Sequence, residues 1–344
     1  MKKMHLALSA LAIMVLAALA VAGWTAWQAY SFLHSAPETP GREVVVNITP
    51  GSTFDQVAAL LLRENCITDV AKFRMLGRWD KKIGSVKAGE FQLSTNMPPR
   101  KVLEVLTSGR PMLHKLIVPE GLTWRQVGHL VEASGLATFD SFEKAIRDKA
   151  LLTRFHIPAD TAEGFLFPET YHLPRPKNSD AAPIVQVMLS AFWKQAGNLL
   201  WPDGPPQAKE LLPLVTLAAM VEKETAAEHE RGRIAGVYAN RLQRGMLLQC
   251  DPTVIYGLGT AFDGNLTKAH LLDKTNRYNT YRLRGLPPGP ICSPGLDALL
   301  AAQSPEPHKF LYFVAKGDGS HAFSYSLSEH NEAVRTYQLR RRRK

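Results

Sequence analysis

The first apolar run of the chain is also its longest. From Leu6 to Ala22 no residue is charged and none is proline, and the uncharged stretch continues through Trp24, Trp27 and Tyr30 to Pro37. At about 1.5 Å of rise per residue, a helix over Leu6 to Tyr30 crosses a hydrocarbon layer of about 30 Å. Its aromatics fall where an interfacial belt belongs. Ala18-Leu19-Ala20 and Ala20-Val21-Ala22 resemble signal-peptide cleavage sites, but the apolar core is longer than the usual signal core, so the pattern predicts an uncleaved anchor. Lys2 and Lys3 put the short N-terminus in the cytoplasm and everything after Tyr30 outside.

Residues from Ser35 to Arg42, with Pro37, Pro40 and Gly41, read as a linker. The periodicity then alternates between two and 3.6, and it repeats. Val44-Val45-Val46-Asn47-Ile48 predicts a strand, followed by Pro50-Gly51-Ser52-Thr53 and a helix with Val57, Leu60 and Leu61 on one face. Seventy residues on, Leu116-Ile117-Val118 leads through Pro119-Glu120-Gly121-Leu122-Thr123 into a helix with Val127, Leu130 and Val131. Gly51 matches Gly121, Thr53 matches Thr123, Gln56 matches Gln126 and Leu60 matches Leu130. In each copy a hydroxyl caps the coming helix by accepting a backbone N–H bond. Between the copies, Ala88 to Leu93 and Pro99 to Leu106 give another strand and helix. Units of this size resemble LysM-like carbohydrate-binding modules, and a plain scaffold that spaces the next domain from the membrane is the competing reading.

Beyond this repeat, Glu163 to Tyr171 is an aromatic loop too rich in Gly and Pro for a helix interior. Its aromatics suit either the apolar faces of sugar rings or a plug between domains. A helix is predicted around Ile184 to Gly197, and an apolar one from Leu211, with Pro213 in its first turn, to Glu222-Lys223-Glu224. Asn240-Arg241-Leu242 ends another helix closed by Gly245. Asp251 before Pro252, and Ser293 before Pro294, predict N-cap and N1 pairs for two more. Phe310 to Ala315 and His321 to Tyr325 predict a hairpin around Gly317-Asp318-Gly319, and a last helix opens near Ser328. The fold class is α+β. The expected division is 1–34 cytoplasmic tip and anchor, 35–42 linker, 43–112 LysM-like module and 113–344 catalytic domain.

Composition narrows the chemistry only slightly. A formal charge of +10 favours acidic partners, and an extracytoplasmic location argues against nucleic acid among them. Cys66, Cys250 and Cys292 are odd in number and far apart, with no CxxC pair, which argues against a disulfide framework or structural zinc; a Cys250–Cys292 bridge is the only pairing worth weighing. No Walker loop, HExxH or GxSxG occurs. No cofactor or metal is expected.

The candidate acid is Glu222. It shares one stripe of its helix with Val215, Ala218 and Ala219, whereas Glu224 points about 200° away around the axis. A carboxyl beside apolar surface is raised in pKa and can donate a proton near neutrality; the bland reading is that Glu222-Lys223-Glu224 is a solvated helix end. Gln249, Asp251, Tyr278, Asn279 and Tyr281 lie in rigid loops of the kind that line oligosaccharide grooves, as does Gly285 to Ile291.

Leu217-Ala218-Ala219-Met220-Val221-Glu222-Lys223-Glu224-Thr225, Asn240-Arg241-Leu242, Asp251-Pro252-Thr253-Val254-Ile255-Tyr256-Gly257, Tyr278-Asn279-Thr280-Tyr281 and Gly285-Leu286-Pro287-Pro288-Gly289 together resemble the MltG (YceG-like) family of endolytic murein transglycosylases. The likeness covers nearly the whole chain; Cys250 and Cys292 stand beside motifs where a thiol is unexpected. The resemblance implies an inner-membrane, single-pass enzyme with a periplasmic catalytic domain, acting beside wall synthases of the penicillin-binding protein class. It implies lytic cleavage between N-acetylmuramic acid and N-acetylglucosamine inside nascent peptidoglycan strands, leaving 1,6-anhydromuramyl ends. Glu222 would act as acid and then base, with Glu169, Asn240, Gln249, Asp251, Tyr278, Asn279 and Tyr281 as strand-holding candidates. Two alternatives remain open: a hydrolase using a second carboxylate, Glu169 or Asp251, and a non-enzymatic wall-binding scaffold.

Overall fold

The computed structural model describes residues 2–225 and 227–339. By internal contacts the chain divides between His114 and Lys115 into two units. The first begins with α1 (Lys2–His34), of which Leu11–His34 is long and apolar enough to cross a membrane and has its apolar side chains exposed. Its last turn differs: Phe32 is buried in the core of the unit, and Gln28 accepts a hydrogen bond from Lys72 Nζ at 3.1 Å. Residues 35–42 are irregular yet tied down. The Glu38 carboxylate accepts from Thr95 Oγ1 at 2.7 Å, and Arg42 N donates to the same hydroxyl at 2.9 Å.

β1 (Glu43–Ile48) alternates exposed and buried positions, so Val44, Val46 and Ile48 face the core. Two helices follow, α2 (Phe54–Arg63) and α3 (Val70–Trp79), before β2 (Gly89–Ser94) pairs antiparallel with β1, Val46 opposite Phe91. α4 (Pro99–Ser108) closes the apolar side with Val102, Leu103 and Leu106, all fully buried.

The second unit restates the strand–helix–strand theme. β3 (His114–Ile117) leads to α5 (Trp124–Ala133), α6 (Phe139–Ile146) and α7 (Lys149–Arg154), then to β4 (Thr170–Leu173), its pairing partner. The repeat legible in the sequence has the same local cause in both copies. Thr53 and Thr123 each accept the N–H of a glutamine three residues on, Gln56 and Gln126, whose side-chain oxygen takes the threonine N–H in return. Gly51 and Gly121 supply the positive φ, +84° and +75°, of the turn before each cap.

Helices dominate the rest. α8 (Ala182–Phe192) runs into a π turn over Trp193–Gly197 and the single turn α9 (Asn198–Leu200). α10 (Ala208–Glu224) is the centre of the unit: Val215, Ala218, Ala219, Met220 and Val221 are wholly buried, and the helix packs against α11 (Arg231–Gln243), α12 (Asp251–Leu258) and α14 (Leu296–Gln303). Between the last two lies the short α13 (Lys268–Leu272). β5 (Tyr312–Ala315) and β6 (His321–Ser324) form the expected hairpin, followed by α15 (Leu327–Val334) capped by Ser326.

Four local expectations change. α10 starts a turn earlier than Pro213 suggests, so the proline sits inside the helix. Asp251 does not cap α12; Cys250 occupies the cap position without a side-chain bond. Ser293 does not cap α14 either, since Gly295 stands there and Ser293 is wholly buried. The aromatic loop is a plug: Phe165 and Leu166 are fully buried, and Tyr171 turns its hydroxyl inward onto the Phe167 carbonyl. Sugar stacking on this loop is therefore ruled out.

Candidate active site

α10 ends at Glu224 because Thr225 turns extended, at φ −145° and ψ 138°. Its last turn is not a solvated end. The Glu222 side chain is only 7% exposed, although the residue stands one position after a fully buried valine. Two loops close over it. The turn at Gly121 brings the glycine against Glu222 Cγ, with a Cβ on Gly121 falling 3.7 Å away, and the Gly121 carbonyl accepts from Lys223 Nζ at 3.1 Å. From the other loop, the Gly295 backbone N–H donates to Glu222 Oε2 at 3.0 Å. The loops are bonded to each other by Gly121 N to the Ser293 carbonyl at 2.9 Å and Ser293 N to the Leu122 carbonyl at 2.8 Å.

One cation organises the carboxylates here. The buried Arg231 guanidinium, at the first position of α11, lies 3.8 Å from Glu222 Oε1, 3.7 Å from Glu120 Oε2 and 3.5 Å from Asp297 Oδ2. Gly295 leaves room for the Glu120 carboxylate beside it: a Cβ there would fall 2.0 Å from Glu120 Oε1 and push that half-exposed side chain aside. Burial raises the Glu222 carboxyl above the ordinary carboxylate range, and the negative charge of Glu120 raises it further; the Gly295 N–H, Arg231 and Lys223 pull the other way. Such a group holds a proton where an exposed glutamate has lost it, and has an amide and a guanidinium at hand once it ionises.

Glu224, two residues on, faces a different set. Its Oε1 accepts from Tyr238 at 2.6 Å, and burial raises its carboxyl too, with hydrogen bonds from Tyr238 and Cys250 opposing. The two carboxyls thus meet different partners, and the alternative of a solvated Glu222-Lys223-Glu224 helix end does not hold, since burial raises both.

The remaining sequence candidates disperse. Asp251 accepts from the Tyr281 hydroxyl and neighbours Glu224, so neither joins Glu222. Asn240 donates to the carbonyls of His308 and Phe310 at 2.9 and 3.0 Å, clamping the segment before the hairpin. Asn279 is fully buried and donates to the carbonyls of His270, Leu271 and Asp273, a loop-building role. Gln249 is exposed, with φ +52°, and its side chain accepts from Arg241 at 3.4 Å. Glu169 is exposed, and its backbone carbonyl takes the Val118 N–H. Tyr278 packs against Tyr256 at 4.8 Å between ring centres, on the wall of a separate cavity.

Sequence reasoning missed Glu120, Arg231 and Gly295. Glu120 carried one signal: in the repeat it stands where the first copy has Pro50, a charge introduced at a turn that otherwise needs none. Arg231 and Gly295 carried none, since their meeting with Glu222 depends on how α11 and α14 pack on α10. The three cysteines are unpaired and buried, and Cys292 Sγ donates to the Ala219 carbonyl at 3.3 Å. Among the described residues no group of three His, Cys, Asp or Glu side chains is placed to hold a metal ion.

The fold and this centre define an α+β protein with a buried acid at a helix end between two interlocked loops. The profile of the YceG-like family matches residues 46–336, and the chain belongs to that family. An endolytic murein transglycosylase of Bacillus subtilis (strain 168) is 28% identical over 326 residues, 89% of this chain and 88% of the relative. One from Streptococcus pneumoniae (strain ATCC BAA-255 / R6) is 28% identical over 323 residues, 85% of this chain; the chain spans 58% of that longer relative. A crystal structure of a yceG-like protein from Listeria monocytogenes superposes with a TM-score of 0.57 at 28% identity, covering 84% of this chain and 98% of that one.

Proposed function

We propose that this chain is a peptidoglycan lytic transglycosylase that cuts inside glycan strands between N-acetylmuramic acid and N-acetylglucosamine, with Glu222 as acid and then base. The relatives named endolytic murein transglycosylases support the substrate class. The observation that carries Glu222 is its burial at a helix end with Gly295 N–H and Arg231 on its two oxygens.

In this reading the protonated Glu222 gives its proton to the bridging oxygen as the bond from that oxygen to the muramic C1 breaks. The carboxylate so formed is stabilised by the Gly295 amide and the Arg231 guanidinium. It then takes the proton of the muramic 6-hydroxyl while that oxygen bonds to C1, closing the 1,6-anhydro ring. One carboxyl serves both steps and no water is consumed. Attack from within the same sugar gains up to about 7–11 kcal/mol from proximity when well oriented.

A second reading has one observation in its favour: Glu120 shares the Arg231 guanidinium with Glu222, and a pair of carboxylates is what a hydrolase uses. Glu169 is exposed and Asp251 is hydrogen-bonded to Tyr281, so Glu120 is the carboxylate this reading draws on. The end chemistry decides. Mass spectrometry of products from purified peptidoglycan should find anhydro ends and no reducing muramic acid; reducing ends would overturn the lytic reading. Glu222→Gln should fold and bind strands while losing about 10²–10⁴-fold in cleavage; full activity in that variant would remove Glu222 from its role.

The antiparallel strands of the first unit, with α2 and α3 between them, support a LysM-like glycan-binding role for residues 43–112, with the chemistry in 113–344. α1 supports anchoring in the inner membrane with the body outside. Action beside synthases of the penicillin-binding protein class completes the proposal, and cross-linking in cells followed by identification of the captured partner tests it.

A further inference from the structure

A cavity of about 840 Å³ in the second unit does not have Glu222 in its lining. Its wall includes Trp124, Arg125, Tyr256, Arg277 and Tyr278. The volume is that of a site for a ligand of several functional groups rather than a bare ion. Its lining sets Arg125, Arg147 and Arg277 against Asp160 and the buried Glu163, beside the aromatic faces of Trp124, Tyr256 and Tyr278. Arg125 stacks over the Trp124 ring at 4.5 Å, and Arg147 over the same ring at 5.3 Å. Arg147 is engaged by Glu143 at 3.2 Å, whereas among the described residues Arg125 and Arg277 make no ion pair within 4.0 Å, although the charge of Arg125 acts on the Glu163 carboxyl. Two forked donors held at the rim, one fixed by stacking, suit a carboxylate.

The floor is a buried acid. Glu163, 3% exposed, accepts the Trp124 backbone N–H with both oxygens, at 3.1 and 3.2 Å, and the Tyr256 hydroxyl donates to it as well. It thereby fixes the start of α5 and one aromatic wall together. The cavity is also tied to Glu222 by shared loops. The segment that places Glu120 and Gly121 beside Glu222 continues directly into Trp124 and Arg125, and Pro288 to Pro290 on the wall lead within five residues to Gly295.

We infer that the cavity seats a carboxylate-bearing peptide branch of the glycan strand, with Arg125 and Arg277 gripping the carboxylate and Tyr256 and Tyr278 lining the chain. This rests on the proposed glycan substrate, and it names the part of the substrate that the cavity reads. A free phosphate would need neither the volume nor the aromatic wall.

The full-length protein in detergent is offered two substrates, strands with their peptides and strands from which an amidase has removed them. Peptide-bearing strands should be cut with about tenfold higher kcat/KM, carried by KM. In Arg125→Gln and Arg277→Gln that preference should fall toward one, with Arg125→Lys intermediate because it keeps the charge but not the fork. Equal kcat/KM on the two substrates for the unmodified protein, or an undiminished preference in both Gln variants, overturns the inference. A second arm is independent of cleavage: calorimetric titration with a synthetic stem peptide, its carboxylate-amidated form and inorganic phosphate. Binding of the peptide alone, lost in Arg277→Gln, supports the site even if no strand is cut, in which case the catalytic reading fails by itself. Equal binding of phosphate, or no binding of the peptide, refutes it.

Discussion

Glu222 is one of three glutamates in the second unit that burial raises above the ordinary range, with Glu163 and Glu224, and its neighbours make its protonation adjustable. Removing the negative charge of Glu120 lowers the Glu222 pKa, so Glu120→Gln should move the alkaline limb of the kcat/KM profile to lower pH. Arg231→Gln removes a cation and should move the same limb to higher pH. Opposite shifts are the expected result; a common shift would mean that the limb belongs to another group. The same Glu120→Gln variant separates the two reaction types, since a required second carboxylate would cost about 10²-fold or more at every pH. Glu163 predicts stability rather than rate. Burial raises it from 4.5 to about 7, against the hydrogen bonds from Trp124 and Tyr256. Below about pH 4.5 it is protonated both folded and unfolded. Between 4.5 and 7 the folded chain keeps a proton that the unfolded chain releases, so this contribution to stability falls as pH rises and is lost above 7. Glu163→Gln should flatten melting temperature against pH over that window, by an amount of order 3 kcal/mol in stability; an unchanged slope would place the titration elsewhere.

At the scale of elements, what the sequence disclosed was whatever a single segment decides. The buried stripe of α10, the threonine caps of α2 and α5 and the β5–β6 hairpin are local patterns, and they form where the pattern put them, the glutamines completing each cap as a box. What it concealed was decided between segments. Asp251 and Ser293 have the residue types of N-caps, yet Asp251 takes the Tyr281 hydroxyl and Ser293 is drawn into the loop pairing with Gly121 and Leu122. The Glu163 to Tyr171 loop has the composition of an exposed turn but is buried among helices that no local signal connects to it. The candidate site divides the same way: α10 disclosed its acid, while Arg231 and Gly295 come to it from α11 and the start of α14. That junction gives a test of the loop geometry. Gly295 has an ordinary φ of −73°, so alanine is allowed by the backbone, but its Cβ would collide with the Glu120 carboxylate. Glu120 is half exposed and can swing away. Gly295→Ala should therefore melt within a few degrees of the unmodified protein, roughly the effect of 1 kcal/mol or less, while its alkaline limb moves to lower pH as in Glu120→Gln. A large loss of stability with an unmoved limb would show that Glu120 is held rigidly and does not act on Glu222.

For the molecule as a whole, access to substrate depends on which side of a membrane the chemistry sits. α1 offers one candidate span, and its last turn is built into the first unit through Phe32 and Gln28. Orientation follows from the cations that flank the span closely, not from the net charge of +10, because long domains cross regardless of their charge. On the amino side stand Lys2 and Lys3; on the other, Arg42 is the only Lys or Arg between His34 and Gly51. On that imbalance we propose that the amino end lies in the cytoplasm and, with one candidate span among the described residues, that the rest lies outside. An alkaline phosphatase fused after Lys344 should accordingly be active and a fluorescent protein at the same place dark. Adding three lysines between Ser35 and Arg42 while replacing Lys2 and Lys3 with glutamine should reverse a measurable share of the molecules, and with it remove their access to the wall. A fusion that is cytoplasmic in the unmodified chain would separate the enzyme from its proposed substrate, whatever the chemistry of Glu222.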